Sequence, residues 1–369
     1  MNNLLIAWAF SLIFVVGGIL LLEATYTPGE EPTDDAVLAS SAETTAGEDA
    51  NTAIGSGALS PEITDNKAAP TTDAAALPAP GQIVDTPDPS QPSASIAIPQ
   101  SIPIEAIPEL LEQSNFGPLP IIAKDGRKSS DIYAAPPSHD RSAGRIAILL
   151  TDLGKKARNT KRAVDELPPS VSLAFSVYGS GLHEWGQKAR RAGHEVYLAV
   201  PMEPTNYPQN DPGPLTLLTT QSTRVKLNLL RSSLGKFSGY VGVTNLMGSR
   251  FTAASDSIRP ILDELKRRGL MFVDNRDSKY SLAASMAQGI NMPWAVNNGY
   301  IDNDLDTESI AAQLAELEKR ARAQGTALGI ARAYPVTVRA IQVWAATLEE
   351  RGYSLVPVSS IAGQQALPR

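Results

Sequence analysis

Hydrophobic positions divide the chain into three stretches. From Leu4 to Leu22, nineteen residues run without a charge, close to the roughly 20 that a helix needs to cross a bilayer. A signal peptide would carry a basic start, a shorter apolar core and an A-x-A-like cleavage site. Asn2 and Asn3 replace the basic start, and "LLLEAT" offers no such cleavage site. Residues 1–22 are therefore predicted to be a retained N-terminal transmembrane anchor. The pattern then disappears. From Glu23 to Asn66 there are ten acidic residues and no basic one, and 16 of the 28 prolines lie between Pro28 and Pro137. Such a tract cannot bury enough apolar surface to offset chain entropy, so 23–117 is predicted to be a disordered Pro/Ala/acidic linker. Within it, "IPIEAIPELLEQ" (Ile102 to Gln113) is read as linker, with a short docking helix as the alternative.

Beyond Gly144 the apolar positions return in two periods. "RIAILLT" (Arg145 to Thr151) is a continuous apolar run, as expected of a strand covered on both faces. A charged helix end, a glycine and an apolar run then recur around Gly193, Gly269, Gly325 and Gly352. Glycine just past a helix accepts the left-handed conformation that closes it, and Arg or Lys before it suits the negative helix end. Ile258, Ile261, Leu262 and Leu265, and again Ile310, Leu314, Leu317 and Ala321, fall on one helical face. Strands are predicted near 145–151, 172–177, 195–200, 240–243, 271–274, 294–297, 326–330 and 354–358. The fold class that follows is α/β: a distorted (β/α) barrel of seven or eight units over 118–363, with 364–369 as a tail. A doubly wound open sheet is the alternative, and both place ligands at the carboxyl ends of the strands.

Composition narrows the chemistry. The 369 residues carry a net charge of −7 and no cysteine. That excludes disulfides, thiolate nucleophiles and Cys-ligated zinc, and argues against non-specific nucleic-acid binding, which needs basic surface. No Lys or Arg lies within twenty residues of the apolar span, so the positive-inside rule has little to count. With an acidic tract following the span, the expected arrangement is membrane-anchored, with the barrel outside the cytoplasm on the periplasmic side.

The predicted strand ends supply a set of polar groups: Asp152, Glu203, Asn245 with Arg250, Asp274 with Asn275, Arg276 and Asp277, Asp302, and Arg332 with Tyr334. Converging on one rim, they suit a neutral or lightly charged polyhydroxylated ligand such as a sugar chain. Asp152, Glu203 and Asp274 are the candidate catalytic carboxylates; Asn245, Arg250, Arg276, Arg332 and Tyr334 are the candidate substrate-binding residues. Nucleotide motifs fail. "GLHEWGQK" has P-loop glycine spacing, but Gln187 and Lys188 stand where Lys and Ser/Thr are required. The three histidines are badly placed for a Ser-His-Asp site: His139 precedes the first predicted strand, His194 opens a strand at the opposite end, and His183 sits at a helix start.

The strand-end sequences "AILLTDLG", "VSLAFSVYGSGLHEWGQKARRAGHEVYLAVPMEP", "GYVGVTNLMGSRFT", "PILDELKRRGLMFVDNR" and "YPVTV" resemble the divergent polysaccharide deacetylase family, over roughly 118–363. The resemblance implies a distorted (β/α) barrel that acts on acetylated polysaccharides or descends from enzymes that do. It also implies a divalent metal, usually zinc, held by an Asp and two His and activating water, with a further Asp as base and a His as acid. This chain departs at most of those positions. Metal-competent members carry a paired Asp-Asp where Thr151-Asp152 stands, and His where Ala199 precedes "VPMEP". They carry Asn-His-Met-Gly in place of Asn245-Leu246-Met247-Gly248, and Gly-His-Pro in place of Ala331-Arg332-Ala333. The expectation is therefore a glycan-binding, deacetylase-like protein of the cell envelope with the zinc-dependent site lost, and no cofactor. Polysaccharide or peptidoglycan is the expected partner, beside the membrane at the N-terminal helix. One alternative is a metal-independent or rebuilt-site hydrolase using two of the carboxylates, which for glycoside hydrolysis must lie roughly 5 to 9.5 Å apart. The other is an envelope platform for a protein partner.

Overall fold

A computed structural model describes residues 101–136 and 144–367. The predicted anchor (1–22), most of the predicted linker and His139 lie outside these residues. Among the described residues no helix is long and apolar enough to cross a membrane.

Parallel strands dominate the fold, and their sequence alternation shows why. In β3 (Gly144–Leu153) Ile146, Ile148 and Leu150 join the core beneath the surrounding helices, while Ala147 and Leu149 join a second core inside the sheet's curve. Both sets are fully buried, which is why the strand is continuously apolar. β4 (Ser172–Ser176), β5 (Val196–Met202), β6 (Gly242–Met247), β7 (Met271–Asp274) and β8 (Trp294–Val296) follow in sequential parallel pairing to one side of β3. On its other side lie β10 (Thr326–Arg332) and then β9 (Gly299–Tyr300), while β11 (Tyr353–Leu355) pairs with the first residues of β3.

The curved sheet comes round on itself through one segment. Residues 294–296 pair with β7, and 299–300, five residues further on, pair with β10. At the switch, Asn297 N donates to Asp274 O (2.9 Å) and Asn298 N to Leu328 O (2.8 Å), and Asn298 Oδ1 accepts from Leu328 N (2.8 Å). Asparagine amides thus complete the ladder where a regular strand would have been, and the arrangement fits the distorted barrel expected.

The helices form as their patterns require. That of residues Thr307–Gln324 starts with Asp306 accepting from Ser309 N (2.8 Å), buries Ile310, Leu314, Leu317 and Ala321, and ends at Gly325 with φ 82°. Gly193, Gly269 and Gly352 also take positive φ.

Two boundaries move. Residues 101–117 are ordered rather than linker, and neither a docking helix nor a plain tether describes them. A short 3-10 turn (Pro108–Leu110) leads into a hairpin of β1 (Leu111–Ser114) and β2 (Gly117–Pro120). Leu110 and Leu119 are buried, and Arg268 Nη1 holds Pro120 O (3.0 Å) and Glu112 (2.9 Å). The hairpin backbone also comes so close to Gly235 that a Cβ there would lie 1.8 Å from Phe116 O. At the other end, Gln365 belongs to the fold, because its side-chain amide pairs with the backbone of Val296 (2.8 and 2.7 Å).

Candidate functional site

The carboxyl ends of β3, β5, β6 and β10, with the loops after β7 and β9, enclose a cavity of about 270 Å³. Asp152, Asn245, Asn275, Asp277, Tyr300 and Arg332 present polar groups to it, and Ala199, Leu246 and Met247 form an apolar wall. A larger void of about 580 Å³ lies at the opposite end of the barrel, beside Trp294 and Ser359. Polar strand-end groups converge on the smaller one.

The polar side is tightly organised. Asn245 Oδ1 accepts from Asn275 N (2.9 Å), and Asn275 Nδ2 donates back to Asn245 O. Asn245 Nδ2 donates to Met247 O (2.5 Å) and reaches Asp277 Oδ2 (3.3 Å), while Tyr300 Oη donates to Asp277 Oδ1. Burial pushes the Asp277 carboxyl above its usual range, against the hydrogen bond from Tyr300. Burial and then the neighbouring carboxylate push the Tyr300 phenol up. Tyr300 therefore stays protonated and donates. Asp152 is half-buried and paired with Lys155 Nζ at 2.7 Å, whereas Asp277 keeps an exposed edge toward the mouth.

Among the described residues four non-glycines take positive φ; Asn291 lies at the opposite end and the other three at this mouth. Asp152 (φ 65°), Met247 (φ 56°) and Arg276 (φ 52°) are non-glycine residues in the left-handed region. Each costs of order 1–3 kcal/mol unless its surroundings impose it, and such residues gather at functional sites. Each lies at or just beyond the end of a strand.

Comparison with known proteins agrees with this geometry. The model of the divergent polysaccharide deacetylase family matches residues 148–362, more than half of the chain and nearly all of the barrel. The chain belongs to that family. It is 26% identical over 200 residues to the uncharacterized protein YibQ of Escherichia coli, a match covering 54% of this chain and 62% of that one. It is 22% identical over 207 residues to an uncharacterized protein of Haemophilus influenzae, covering 56% and 72%. The crystal structure of an uncharacterized protein from Agrobacterium tumefaciens superposes with a TM-score of 0.65 at 36% identity, over 66% of this chain and 99% of that one.

The zinc that the family implies does not fit these residues. Zinc sites use imidazole, thiolate and carboxylate donors in a closed or nearly closed tetrahedron. Here the wall carries no imidazole, its two carboxylates are bound to Lys155 and Tyr300, and the Arg332 guanidinium brings a fixed positive charge. Among the described residues no group of three His, Cys, Asp or Glu side chains is placed to hold a metal ion.

The residues selected from sequence separate into two groups. Asp152, Asn245 and Arg332 line the cavity, and Tyr334 lies in a cleft beside it, its ring 5.1 Å from the Arg332 guanidinium. Glu203 and Asp274 lie off its wall, buried, with their oxygens engaged. Glu203 Oε2 accepts from Thr219 N (2.5 Å) and Oγ1 (2.7 Å), and Oε1 faces the exposed Arg250 at 3.4 Å. Asp274 accepts from Ser281 Oγ (2.7 Å) and Arg276 N (2.8 Å). Both brace loops around the mouth, and Arg250 and Arg276 belong to that bracing. Tyr300 was missed: "NNGYIDND" drew attention through Asp302, and nothing local marks its tyrosine as facing the barrel. Asn275 and Asp277 were visible in "DNRDS" but not separable from Asp274, because only the left-handed turn at Arg276 decides which carboxylate turns inward. His194 is buried at the far end, bonded to the carbonyls of Val171 (2.8 Å) and Val164 (3.3 Å).

Proposed function

We propose that this chain binds a glycan of the cell envelope at the strand-end cavity and no longer performs zinc-dependent deacetylation. The observation that carries the reading is the wall itself. Fixed amide, carboxylate and phenol groups line the cavity together with the apolar side chains of Ala199, Leu246 and Met247, the combination that meets a sugar's hydroxyls and its C–H face. A few precisely held polar groups on an otherwise apolar surface are what orient a small ligand. Membership of a polysaccharide deacetylase family supports the ligand class. The apolar span at residues 4–22 supports a place at the membrane, with the barrel outside the cytoplasm.

The test is retention of the full chain on peptidoglycan sacculi and on a panel of immobilised polysaccharides. Retention that falls in Tyr300→Phe and survives a chelator is expected; no retention above background on any glycan would overturn the reading. After zinc loading and dialysis the chain is expected to hold well below one zinc per molecule, by elemental analysis.

A second reading rests on one observation: Asp152 and Asp277 face one cavity in unlike environments, one paired with Lys155 and one hydrogen-bonded to the Tyr300 phenol. Carboxylates with environments that push them apart can share acid and base roles in glycoside hydrolysis. Release of reducing ends from sacculi, abolished in Asp277→Asn, would favour it over simple binding.

A further inference from the structure

A cleft of about 110 Å³ shares Asp152 and Arg332 with the strand-end cavity and adds Lys155, Lys156, Asn159 and Tyr334. Arg332 is held in place between the two voids. Its Nε lies 3.5 Å from Oδ1 of the fully buried Asp302, its Nη2 donates to the Asp302 carbonyl, and the Tyr334 ring lies beneath it. Lys155 is paired with Asp152. Lys156 forms no ion pair among the described residues. Within the cleft Arg332 is matched by Asp302 and Lys155 by Asp152, which leaves the positive charge of Lys156 unpaired on the cleft's own side.

Size and charge then restrict the occupant. The cleft is less than half the size of the neighbouring cavity, about 110 against 270 Å³, and so suits a small planar substituent better than a second sugar ring. One surplus positive charge matches a monoanion. A dianion would bring its second charge against Asp152, and like charges at close range are disfavoured. We propose that the cleft is the subsite for a carboxylate carried by the sugar in the neighbouring cavity, so that the ligand is an acidic glycan. This rests on the glycan reading above and narrows it. Arg332 serves both voids, meeting the carboxylate on one side and the ring on the other, while Lys155 and Lys156 act as point charges on flexible stems.

The test uses the full chain and two probes: peptide-free peptidoglycan strands, whose alternate sugars carry a lactyl carboxylate, and the same strands with those carboxylates converted to primary amides. The intact strands are expected to bind at least about tenfold more tightly at low salt. That advantage should shrink as salt rises, because exposed charges are screened, and shrink again, about fivefold, in Lys156→Gln. Lys156 is exposed, so the substitution leaves the fold intact. Equal affinity for the two strands would overturn the carboxylate subsite and leave the glycan reading standing. Binding of neither strand would remove both.

Discussion

At the amino-terminal end of the barrel Glu195, fully buried just before β5, receives five hydrogen bonds: from Ser172 Oγ (3.1 Å), Tyr197 Oη (3.1 Å), Ala135 N (2.9 Å), Ser359 N (3.2 Å) and Ser359 Oγ. At the carboxyl end Asn245, Asn275, Asp277 and Tyr300 form a network of similar extent, but around an open cavity. The first network joins three separate pieces of chain, the segment before the barrel, the strands and the turn after β11, so its donors are satisfied by protein alone. The second joins neighbouring strand ends and leaves polar faces toward the void. Buried polar groups can therefore serve a fold or a ligand, and the difference lies in whether their remaining valences point at protein or at empty space.

The contrast is broken most directly at the floor. Glu195→Ala leaves five donors without an acceptor, and each unsatisfied buried group costs about 1–3 kcal/mol. A loss of about 3 kcal/mol or more is expected in urea unfolding, with Glu195→Gln falling between it and the native chain. A loss below about 1 kcal/mol would mean that water reaches the floor and the two networks are not different in kind.

The mouth should answer oppositely. Asp277→Ala is expected to weaken glycan retention about tenfold, or about 1.4 kcal/mol, while changing stability by less than about 1 kcal/mol. Asp277 is exposed at the mouth, so water can take over the hydrogen bonds that its carboxylate makes. Stability lost in step with binding would show that Asp277 is a floor-type residue in the wrong place.

A smaller effect separates the two ends by pH. Burial alone would raise the Glu264 carboxyl, but hydrogen bonds from Arg231, Arg268 and Arg267 lower it to about 2. Arg268 in turn clamps Glu112 and Pro120 of the hairpin. Because the folded value lies below the unfolded one, this stabilisation is complete above pH 4.5 and is lost as pH falls toward 2. The urea midpoint of the native chain is expected to drop through that window. Glu264→Gln should begin lower and drop less, and an equal drop in both would assign the acid sensitivity elsewhere.

The same contrast explains what could be read from sequence. Predicted strands near 145–151, 271–274 and 326–330 meet β3, β7 and β10 almost residue for residue, because a strand covered on both faces is continuously apolar. Helix ends were legible because Gly193, Gly269, Gly325 and Gly352 take a conformation that favours glycine. The hairpin at 111–120 was not, since its few apolar residues matter only once Arg268 and Gly235 are opposite them. Glu195 was hidden for a related reason: a charged residue at the start of an apolar run reads as a solvated strand end until the chain from both termini closes over it. At the site, Asp152, Asn245 and Arg332 follow from the strand-end rule, whereas the choice of Asp277 over Asp274 depends on the left-handed turn at Arg276.

That turn belongs to the last and smallest effect. Left-handed backbone costs a residue with a Cβ roughly 1–2 kcal/mol, and glycine avoids this at the expense of greater unfolded-chain entropy. Met247, partly exposed on the cavity wall with φ 56°, is the position where relief is cleanest, since its side chain braces no other loop. Met247→Gly is expected to raise stability by about 0.5–1 kcal/mol in thermal or urea unfolding while weakening glycan retention, because the apolar wall loses its outermost member. Gain of stability with unchanged retention would make the strain incidental to the ligand. Loss of stability would mean that Met247 packs the mouth as Leu149 packs the lumen, and the two ends of the barrel would differ less than their polar networks suggest.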